Sequence, residues 1–101
     1  MHKKFKDKVV VITGASSGIG KALAMRFAAE GAKVLMAARN EERLATAVEE
    51  VKKTGASVIG VRADVSVEDD CRNLISSAVK EFNDIDILIN NAGISMRALF
   101  R

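Results

Sequence analysis

Four short apolar runs alternate with three helix-like segments along the chain, and this alternation restricts the fold more than any other feature. The first run, VVVI, places four β-branched residues in succession, so it leaves no polar face and predicts a strand buried on both sides. Strands that alternate with helices form a parallel sheet with right-handed crossovers. We therefore expect an α/β fold, a Rossmann-type doubly wound parallel sheet with strand order 3-2-1-4. The predicted strands are Lys8–Thr13, Lys33–Ala38, Ser57–Arg62 and Asp86–Asn90.

The three predicted helices carry start and stop signals. Asn40 can cap the second helix, and the Glu-Glu pair after it suits the positive end of the helix dipole. The segment Ser66–Asp69 resembles a capping box for the third helix, while Gly31 and Gly55 follow the ends of the first two. The predicted apolar faces are Ile19, Leu23 and Phe27 in the first helix (Gly18–Glu30), Leu44, Val48 and Val51 in the second, and Cys71, Leu74, Ile75, Ala78 and Phe82 in the third.

A glycine-rich segment, TGASSGIG at residues 13–20, joins the first strand to the first helix. In such a sheet, ligands lie beyond the carboxyl ends of the strands, and a helix N-terminus offers free N–H groups and a partial positive charge. Glycines allow a tight turn and close approach of phosphates, Gly20 allows close helix packing, and Ser16 and Ser17 add hydroxyl donors. The segment predicts a pyrophosphate site. Its spacing, G-x-x-x-G-x-G, differs from the commoner G-x-G-x-x-G, and a helix-packing turn without a ligand is the alternative.

Three motifs together resemble the short-chain dehydrogenase/reductase family: TGASSGIG at 13–20, ADV at 63–65 and NNAG at 90–93. They occur in the family's order and cover essentially the whole chain. The resemblance implies that Asp64 accepts a hydrogen bond from the adenine amino group, that Val65 packs on the ring, and that Asn90 braces the sheet. Without a ligand, the aspartate and the asparagines would be ordinary loop and turn residues. The residues implied to line the pyrophosphate are Gly14, Ser16, Gly18, Ile19 and Gly20, and those implied to follow the nicotinamide-side ribose are Asn91, Ala92 and Gly93.

The end of the second predicted strand indicates which dinucleotide is bound. NAD binders usually place an acidic residue there to hold the ribose hydroxyls, and Ala38 holds the position that resembles the Asp of NAD-preferring relatives. No acidic residue occurs between Glu30 and Glu41. Arg39 has a planar fork that can pair with a 2′-phosphate and stack on adenine, although it could also be a solvated strand-end arginine. Asn40 either assists or only caps the helix. We predict NADP(H) as the cofactor.

The residues that carry catalysis in the family are missing from this sequence. Family members are similar in using a Ser, a Tyr that acts as general acid/base, and a Lys four residues after the Tyr, well beyond the NNAG segment. The chain contains no tyrosine, Ser95 does not match the motif of the catalytic serine, and Lys80 is expected to face solvent. We therefore predict no catalytic and no metal-ligating residue here. Met96 and Phe100 are candidate walls of a substrate pocket and equally candidates for helix packing.

Two functional classes fit this pattern. The first is the cofactor-binding half of an NADP(H)-dependent oxidoreductase, which moves a hydride between the nicotinamide and a carbonyl or alcohol substrate. The second is a non-catalytic nucleotide-binding or interaction module. A third, RNA binding through the basic N-terminus, is weaker because a solvated tail explains those lysines and the four aromatic residues are all Phe.

Composition predicts a globular protein in a reducing compartment. The net charge is +3, 29% of residues are charged, and no apolar run reaches membrane-spanning length. The apolar stretch after the basic N-terminus is too short for a signal peptide. Cys71 is the only cysteine, so no internal disulfide forms, and we expect it to be a small core residue. We expect a cytoplasmic protein with neither nucleic acid nor membrane as a partner.

The fourth predicted strand, DILIN, indicates that the sheet continues beyond residue 101. The strand is apolar on both faces, as interior strands are, yet its outer edge would expose unpaired N–H and C=O groups. Only Asp86 supplies charge near that edge, and one face of the sheet is expected to lack helix cover. We therefore expect residues 1–101 to be an incomplete NADP-binding portion of one Rossmann-fold domain. Such a portion would be inactive alone and would form a homo-oligomer or associate with the remainder of the chain.

Overall fold

The computed structural model describes residues 4–91, and within them seven elements follow one another in the predicted order. Each predicted strand is confirmed to within one residue at either end. The first and second helices end where a glycine follows within three residues, as their stop signals predict. The elements are β1 (Val9–Thr13), α1 (Gly18–Ala29), β2 (Lys33–Ala38), α2 (Glu41–Lys52), β3 (Val58–Arg62), α3 (Glu68–Phe82) and β4 (Ile87–Asn90).

The four strands form one parallel sheet in the order β3-β2-β1-β4, which confirms the predicted α/β doubly wound topology. Strands β1 and β2 are central and almost wholly buried, whereas β4 lies at an edge and is half-buried along its length. Because all four strands are parallel, their carboxyl ends meet at the same edge of the sheet. The residues at that edge are Thr13, Ala38, Arg62 and Asn90.

Helices pack on both faces of the sheet. On one face, α1 and α2 cover alternate residues of the central strands, with Ile12 and Met36 among the largest buried side chains. On the other face, α3 packs its Leu74 against Val11 and Leu35. The expectation that one face would lack helix cover is therefore wrong, because this single helix covers the central strands. The apolar side chains of that cluster that stay partly exposed are Ile59, Val61, Val65, Phe82, Ile85 and Leu88.

The apolar face of α1 differs from the predicted one. Gly20, Ala24 and Ala28 face the core, while Ile19 is 71% exposed. Small residues on the inner face let the helix approach the sheet closely, so the larger side chains lie to the side or outside. Phe27 is half-buried and stacks edge-on against Phe5, with the ring centroids 5.0 Å apart. The prediction that Ile19 packs on the sheet is wrong.

The two predicted helix caps have opposite outcomes. The Oδ1 atom of Asn40 accepts a hydrogen bond from the backbone N–H of Arg43 at 2.9 Å, so the predicted cap of α2 is confirmed. The predicted capping box of α3 is wrong, because the helix begins after Val67, which makes no cap bond. The hydroxyl of Ser66 instead donates to Oδ1 of Asp64 at 2.6 Å. The aspartate two residues earlier competes for this serine more effectively than the helix does.

Cys71 lies in the core, as predicted, and is 4% exposed. Burial raises the pKa of its thiol, and the nearby carboxylate of Asp70 raises it further. The thiol is therefore kept protonated, which is the property of a packing residue and not of a nucleophile.

Candidate functional site

A groove of about 850 Å³ runs along the carboxyl edge of the sheet, beyond the ends of β1, β2 and β3. This volume lies in the range of small-molecule and cofactor sites. The structure brings seven sequence-predicted residues together in its walls: Gly14, Ser16, Ser17, Arg39, Asn40, Asp64 and Val65. Ala38, Arg43, Arg62, Ala63 and Ser66 complete the lining. Four predicted residues, Gly18, Ile19, Gly20 and Asn91, lie beside the groove at the start of α1 and after β4.

The sequence at the start of α1 provides neither a side-chain cap nor a negative charge for the helix N-terminus. The N-cap residue, Ser17, is extended, and its side chain makes no bond to the first turn. The first turn contains no acidic residue. Because the first N–H groups of a helix have no acceptor inside the helix, this end presents donors and a partial positive charge to the groove edge. An anionic group fits such an end.

Two glycines shape this helix start in different ways. Gly18 has a φ of +57°, and a Cβ built on it would meet no atom within 4 Å. Gly20 is the opposite case, since a Cβ there would overlap the carbonyl oxygen of Gly14 and lie 2.8 Å from Nδ2 of Asn91. Gly20 therefore allows a close approach, as predicted, and its nearest neighbours are the turn after β1 and the residue after β4. Free space in front of Gly18 fits a ligand that approaches the backbone.

The carboxyl ends of β1 and β4 are tied together by side chains. Thr13 Oγ1 donates to Oδ1 of Asn90 at 2.9 Å, so the predicted bracing role of Asn90 is confirmed. Asn91 Nδ2 donates to the carbonyl oxygen of Gly14 at 3.3 Å and thereby holds the glycine-rich turn. Four further predicted positions, Ala92, Gly93, Met96 and Phe100, lie outside the described residues, as does Ser95.

The carboxylate of Asp64 is prepared to accept a hydrogen bond. Its Oδ1 accepts the hydroxyl of Ser66 at 2.6 Å and the backbone N–H of the same residue at 3.0 Å. These bonds hold the pKa of Asp64 below its ordinary value, and the charges of Arg39 and Arg62 lower it further. The side chain is therefore ionised at neutral pH. No residue from 4 to 91 donates to its Oδ2, which leaves this oxygen available to a ligand.

Three arginines line the groove, and they are not equivalent. Arg62 is engaged by the protein, with Nη1 3.1 Å from Oδ2 of Asp70 and Nε 3.2 Å from the carbonyl oxygen of Arg39. Arg39 and Arg43 form no ion pair with any residue in the described part of the chain. Neither of these two guanidinium groups beside the end of β2 is therefore held in an ion pair by a described residue.

Arg43 and Arg62 were not predicted to line the groove, although the position of each residue in the chain indicates it. Arg43 lies three residues after the Asn40 cap, and this position places it in the first turn at the carboxyl edge. Arg62 is the last residue of β3 and therefore lies at the same edge. Lys80 is exposed on α3, as predicted.

Within residues 4–91, no group of three or more potential metal ligands comes together. Of the helices in the same range, none has the length and apolar character needed to cross a membrane.

Known proteins similar to this chain agree on its family. A family model described as short chain dehydrogenase matches residues 8–101. An uncharacterized oxidoreductase of Bacillus subtilis is 48% identical over 93 residues, which are 92% of this chain and 26% of that protein. The chain spans 25–33% of the length of the curated relatives it matches.

Solved structures with the same fold bind either dinucleotide. L-sorbose reductase from Gluconobacter frateurii, complexed with NADPH and L-sorbose, is 42% identical with a TM-score of 0.87 over 93% of this chain and 36% of its own. An NAD+-bound xylitol dehydrogenase is 38% identical with a TM-score of 0.87 over 91% of this chain and 35% of its own. The fold alone therefore does not select between the two cofactors.

Proposed function

The chain belongs to the short-chain dehydrogenase family, and we propose from this premise that it is the NADP(H)-binding portion of an oxidoreductase. When bound, the nicotinamide ring donates or accepts the hydride that passes to or from a carbonyl or alcohol carbon. The residues of this chain bind and orient the cofactor. The observation that carries the proposal is the presence of two arginines, Arg39 and Arg43, that line the groove beside the end of β2 and form no ion pair with the described residues.

The proposed contacts follow the groove from one end to the other. The open start of α1 binds the pyrophosphate, and the free space before Gly18 admits it. The ionised carboxylate of Asp64 accepts the adenine amino group, and Val65 packs on the ring. The full set of proposed cofactor-binding residues is Gly14, Ser16, Ser17, Gly18, Ile19, Gly20, Arg39, Asn40, Arg43, Asp64, Val65, Asn91, Ala92 and Gly93.

The preference for NADP(H) rests on charge at the end of β2. Ala38 is 6% exposed and offers no carboxylate to ribose hydroxyls. Arg39 and Arg43 supply two guanidinium groups, whose planar forks pair with phosphate oxygens. A 2′-phosphate would therefore find compensation here, whereas NAD(H) would leave both cations unused.

Calorimetric titration of the complete gene product with NADPH and NADH tests this preference. We expect NADPH to bind at least about tenfold more tightly, the effect of one charge-assisted contact. The double change Ala38→Asp with Arg39→Leu should reverse the preference. The control is Arg72→Leu, an exposed arginine on α3 outside the groove, which should leave the preference unchanged. Equal or tighter binding of NADH by the wild-type protein would contradict the proposal.

We also propose that turnover needs more than residues 1–101. The chain contains no tyrosine, the residue that family members use as general acid/base, and the outer edge of β4 pairs with no described strand. Expression of residues 1–101 alone should give a peptide that associates and does not oxidise NADPH with any ketone or aldehyde. A stable monomer that reduces such a panel would overturn this part. A complete gene product that binds NADPH but turns over no substrate would favour the non-catalytic module instead.

Association and location complete the proposal. The half-buried apolar strand β4 is the surface through which we expect a further strand of the protein or another copy to attach. Cys71 is unpaired and buried, which suits a reducing compartment such as the cytoplasm. Light scattering and cell fractionation test these two points. A monomeric gene product would leave only a further strand of the same protein to cover β4, and a secreted gene product would contradict the proposed location.

A further inference from the structure

A carboxylate oxygen on α3 binds the end of β3 and the loop after it, and Arg62 extends this contact to the residue after β2. Oδ2 of Asp70, in the first turn of α3, accepts from Nη1 of Arg62 at 3.1 Å and from the backbone N–H of Asp64 at 2.9 Å. Nε of Arg62 donates to the carbonyl oxygen of Arg39 at 3.2 Å. A continuous chain of hydrogen bonds therefore runs from the end of β2, through the end of β3, to the loop that carries Asp64.

Stability alone does not account for this arrangement. The side chains of Arg62 and Asp70 are 49% and 28% exposed, and ion pairs in such surroundings contribute little to folding. The same helix carries a more exposed pair of the same type, Arg72 with Glu68 at 2.7 Å, and neither of its members lines the groove. What distinguishes the Arg62–Asp70 pair is the two backbone groups that it holds in place.

We propose that Asp70 and Arg62 are positioning residues that set the distance between the adenine-binding carboxylate of Asp64 and the phosphate-binding guanidinium of Arg39. This inference rests on the proposed binding of NADP(H). Asp70 compensates the charge of Arg62, so Arg62 is not a third phosphate ligand although it lines the groove. The two groups that bind opposite ends of the 2′-phosphoadenosine moiety are thus fixed by one ion pair that does not touch it.

The hypoxanthine analogue of NADP+ provides the test, because it carries a carbonyl where adenine carries its amino group. Calorimetry on the complete wild-type protein should show tighter binding of NADP+ than of the analogue. We expect Asp70→Ala to weaken NADP+ binding by about fivefold to tenfold, the effect of one lost hydrogen bond, and to change the analogue's affinity by less than about twofold. The preference for adenine then shrinks. A role in stability alone would weaken the binding of both dinucleotides equally.

Hydrogen exchange in the cofactor-free protein gives a second readout. The backbone N–H of Asp64 should exchange faster in Asp70→Ala, because it loses its acceptor. Asp70→Asn keeps an acceptor oxygen and should restore both the slow exchange and most of the preference for adenine. Glu68→Ala, which breaks the neighbouring pair with Arg72, is the matched control and should change neither quantity.

Arg62→Met tests the proposed role of Arg62 in positioning Arg39. It leaves the bond from Asp70 to the Asp64 N–H and removes the bond to the Arg39 carbonyl. We expect the preference for NADPH over NADH to fall about threefold while the preference for adenine is kept. An unchanged preference for NADPH would show that Arg62 does not position Arg39. This variant also carries the test if Asp70→Ala does not fold.

The failures of the two proposals are distinguishable. If the wild-type protein does not bind NADP+, or binds the hypoxanthine analogue equally well, the proposed adenine site is wrong and the inference falls with it. If the wild-type protein prefers adenine and Asp70→Ala keeps that preference, only the positioning role is wrong.

Discussion

The starts of α1 and α3 lie at the same edge of the sheet and are chemically opposite. The first turn of α3 carries three carboxylates, whereas the first turn of α1 carries none. In α3 the positive end of the helix dipole is compensated by its own residues, one of which also binds Arg62. In α1 neither the Ser17 side chain nor an acidic residue compensates it. From this comparison we expect an anion to bind at the start of α1, where the first turn has no carboxylate, and not at the start of α3.

The start of α2 is an intermediate case. Its N-terminus is capped by Asn40 and followed by two glutamates, so the helix end itself is compensated. Arg39 and Arg43 then restore positive charge beside it. Phosphate binding at this point would rely on side chains, whereas at α1 it would rely on the backbone. Four variants probe the starts of these helices and the loop before α3, from the largest expected effect to the smallest.

The largest effect is expected from Gly20→Ala, because the first turn of α1 packs closely against the carbonyl group of Gly14 at this position. The new Cβ would collide with the Gly14 carbonyl, so we expect the free energy of unfolding to fall by about 3 kcal/mol. Gly18→Ala is the matched control, because its Cβ enters open space and only the left-handed backbone costs about 1 kcal/mol. Urea unfolding of the complete gene product measures both values. Equal losses, or a larger loss for Gly18→Ala, would contradict this reading of the turn.

The second variant gives the N-terminus of α1 a carboxylate, like those at the N-terminus of α3. Ser17→Asp adds a cap and a negative charge at the open helix start, so it should stabilise the protein by about 0.5 kcal/mol. The same charge should repel the pyrophosphate and weaken NADPH binding by about tenfold, which is about 1.4 kcal/mol. Val67→Asp is the control at the N-cap of α3 and should change NADPH affinity by less than about twofold. Unchanged NADPH affinity in Ser17→Asp would place the pyrophosphate elsewhere.

The third variant concerns Arg43, one of the two groove arginines that were not predicted from the sequence. Arg43→Met removes one of the two guanidinium groups that line the groove without an ion pair to a described residue, so the preference for NADPH over NADH should fall about fivefold. Competition binding with both cofactors measures it. The exposed Arg72→Met on α3 provides the comparison, and an equal effect in both variants would show that only the net charge matters.

The smallest effect concerns the pKa of Asp64, in the loop between β3 and α3. A carboxyl whose pKa is lowered by folding contributes stability at higher pH and loses it as the pH falls through the folded value. Ser66→Ala removes the main cause of the shift, so the pKa of Asp64 should rise toward its ordinary 3.8, and the stability that this carboxyl loses on acidification should become smaller. A 13C NMR titration of the carboxyl measures this pKa. Ser76→Ala, on the exposed side of α3, should leave the pKa unchanged, and an unshifted pKa in Ser66→Ala would refute the assigned cause.

The fold was predictable because its signals are local. Four β-branched residues in β1 predict a strand with no polar face, and the alternation of strands and helices predicts a parallel sheet. The Asn40 cap was equally predictable, since donor and acceptor lie three residues apart. The position of the groove followed from the rule that the carboxyl ends of parallel strands meet at one edge.

The sequence predictions were wrong where two hydrogen-bond acceptors or donors compete for one side chain, and where tertiary packing decides which face of a helix is buried. The Ser66 hydroxyl could either cap α3 or bind Asp64, and the local sequence does not show which of the two hydrogen bonds is the more stable. Ile19 follows the spacing of an apolar face, yet the smaller Ala24 and Ala28 allow closer packing and occupy the inner side. The bond between Arg62 and Asp70 joins a strand end to a helix start eight residues later, a spacing that marks no regular element.

The most direct test of the central claim is a crystal structure of the complete gene product with NADP+. The open start of α1 predicts that pyrophosphate oxygens lie about 3 Å from backbone N–H groups in the first turn, at Gly18 to Gly20. The same account predicts the 2′-phosphate beside Arg39 and Arg43, and no phosphate oxygen at the first turn of α3. A pyrophosphate bound at the start of α3, or one that makes no contact with the first turn of α1, would contradict it.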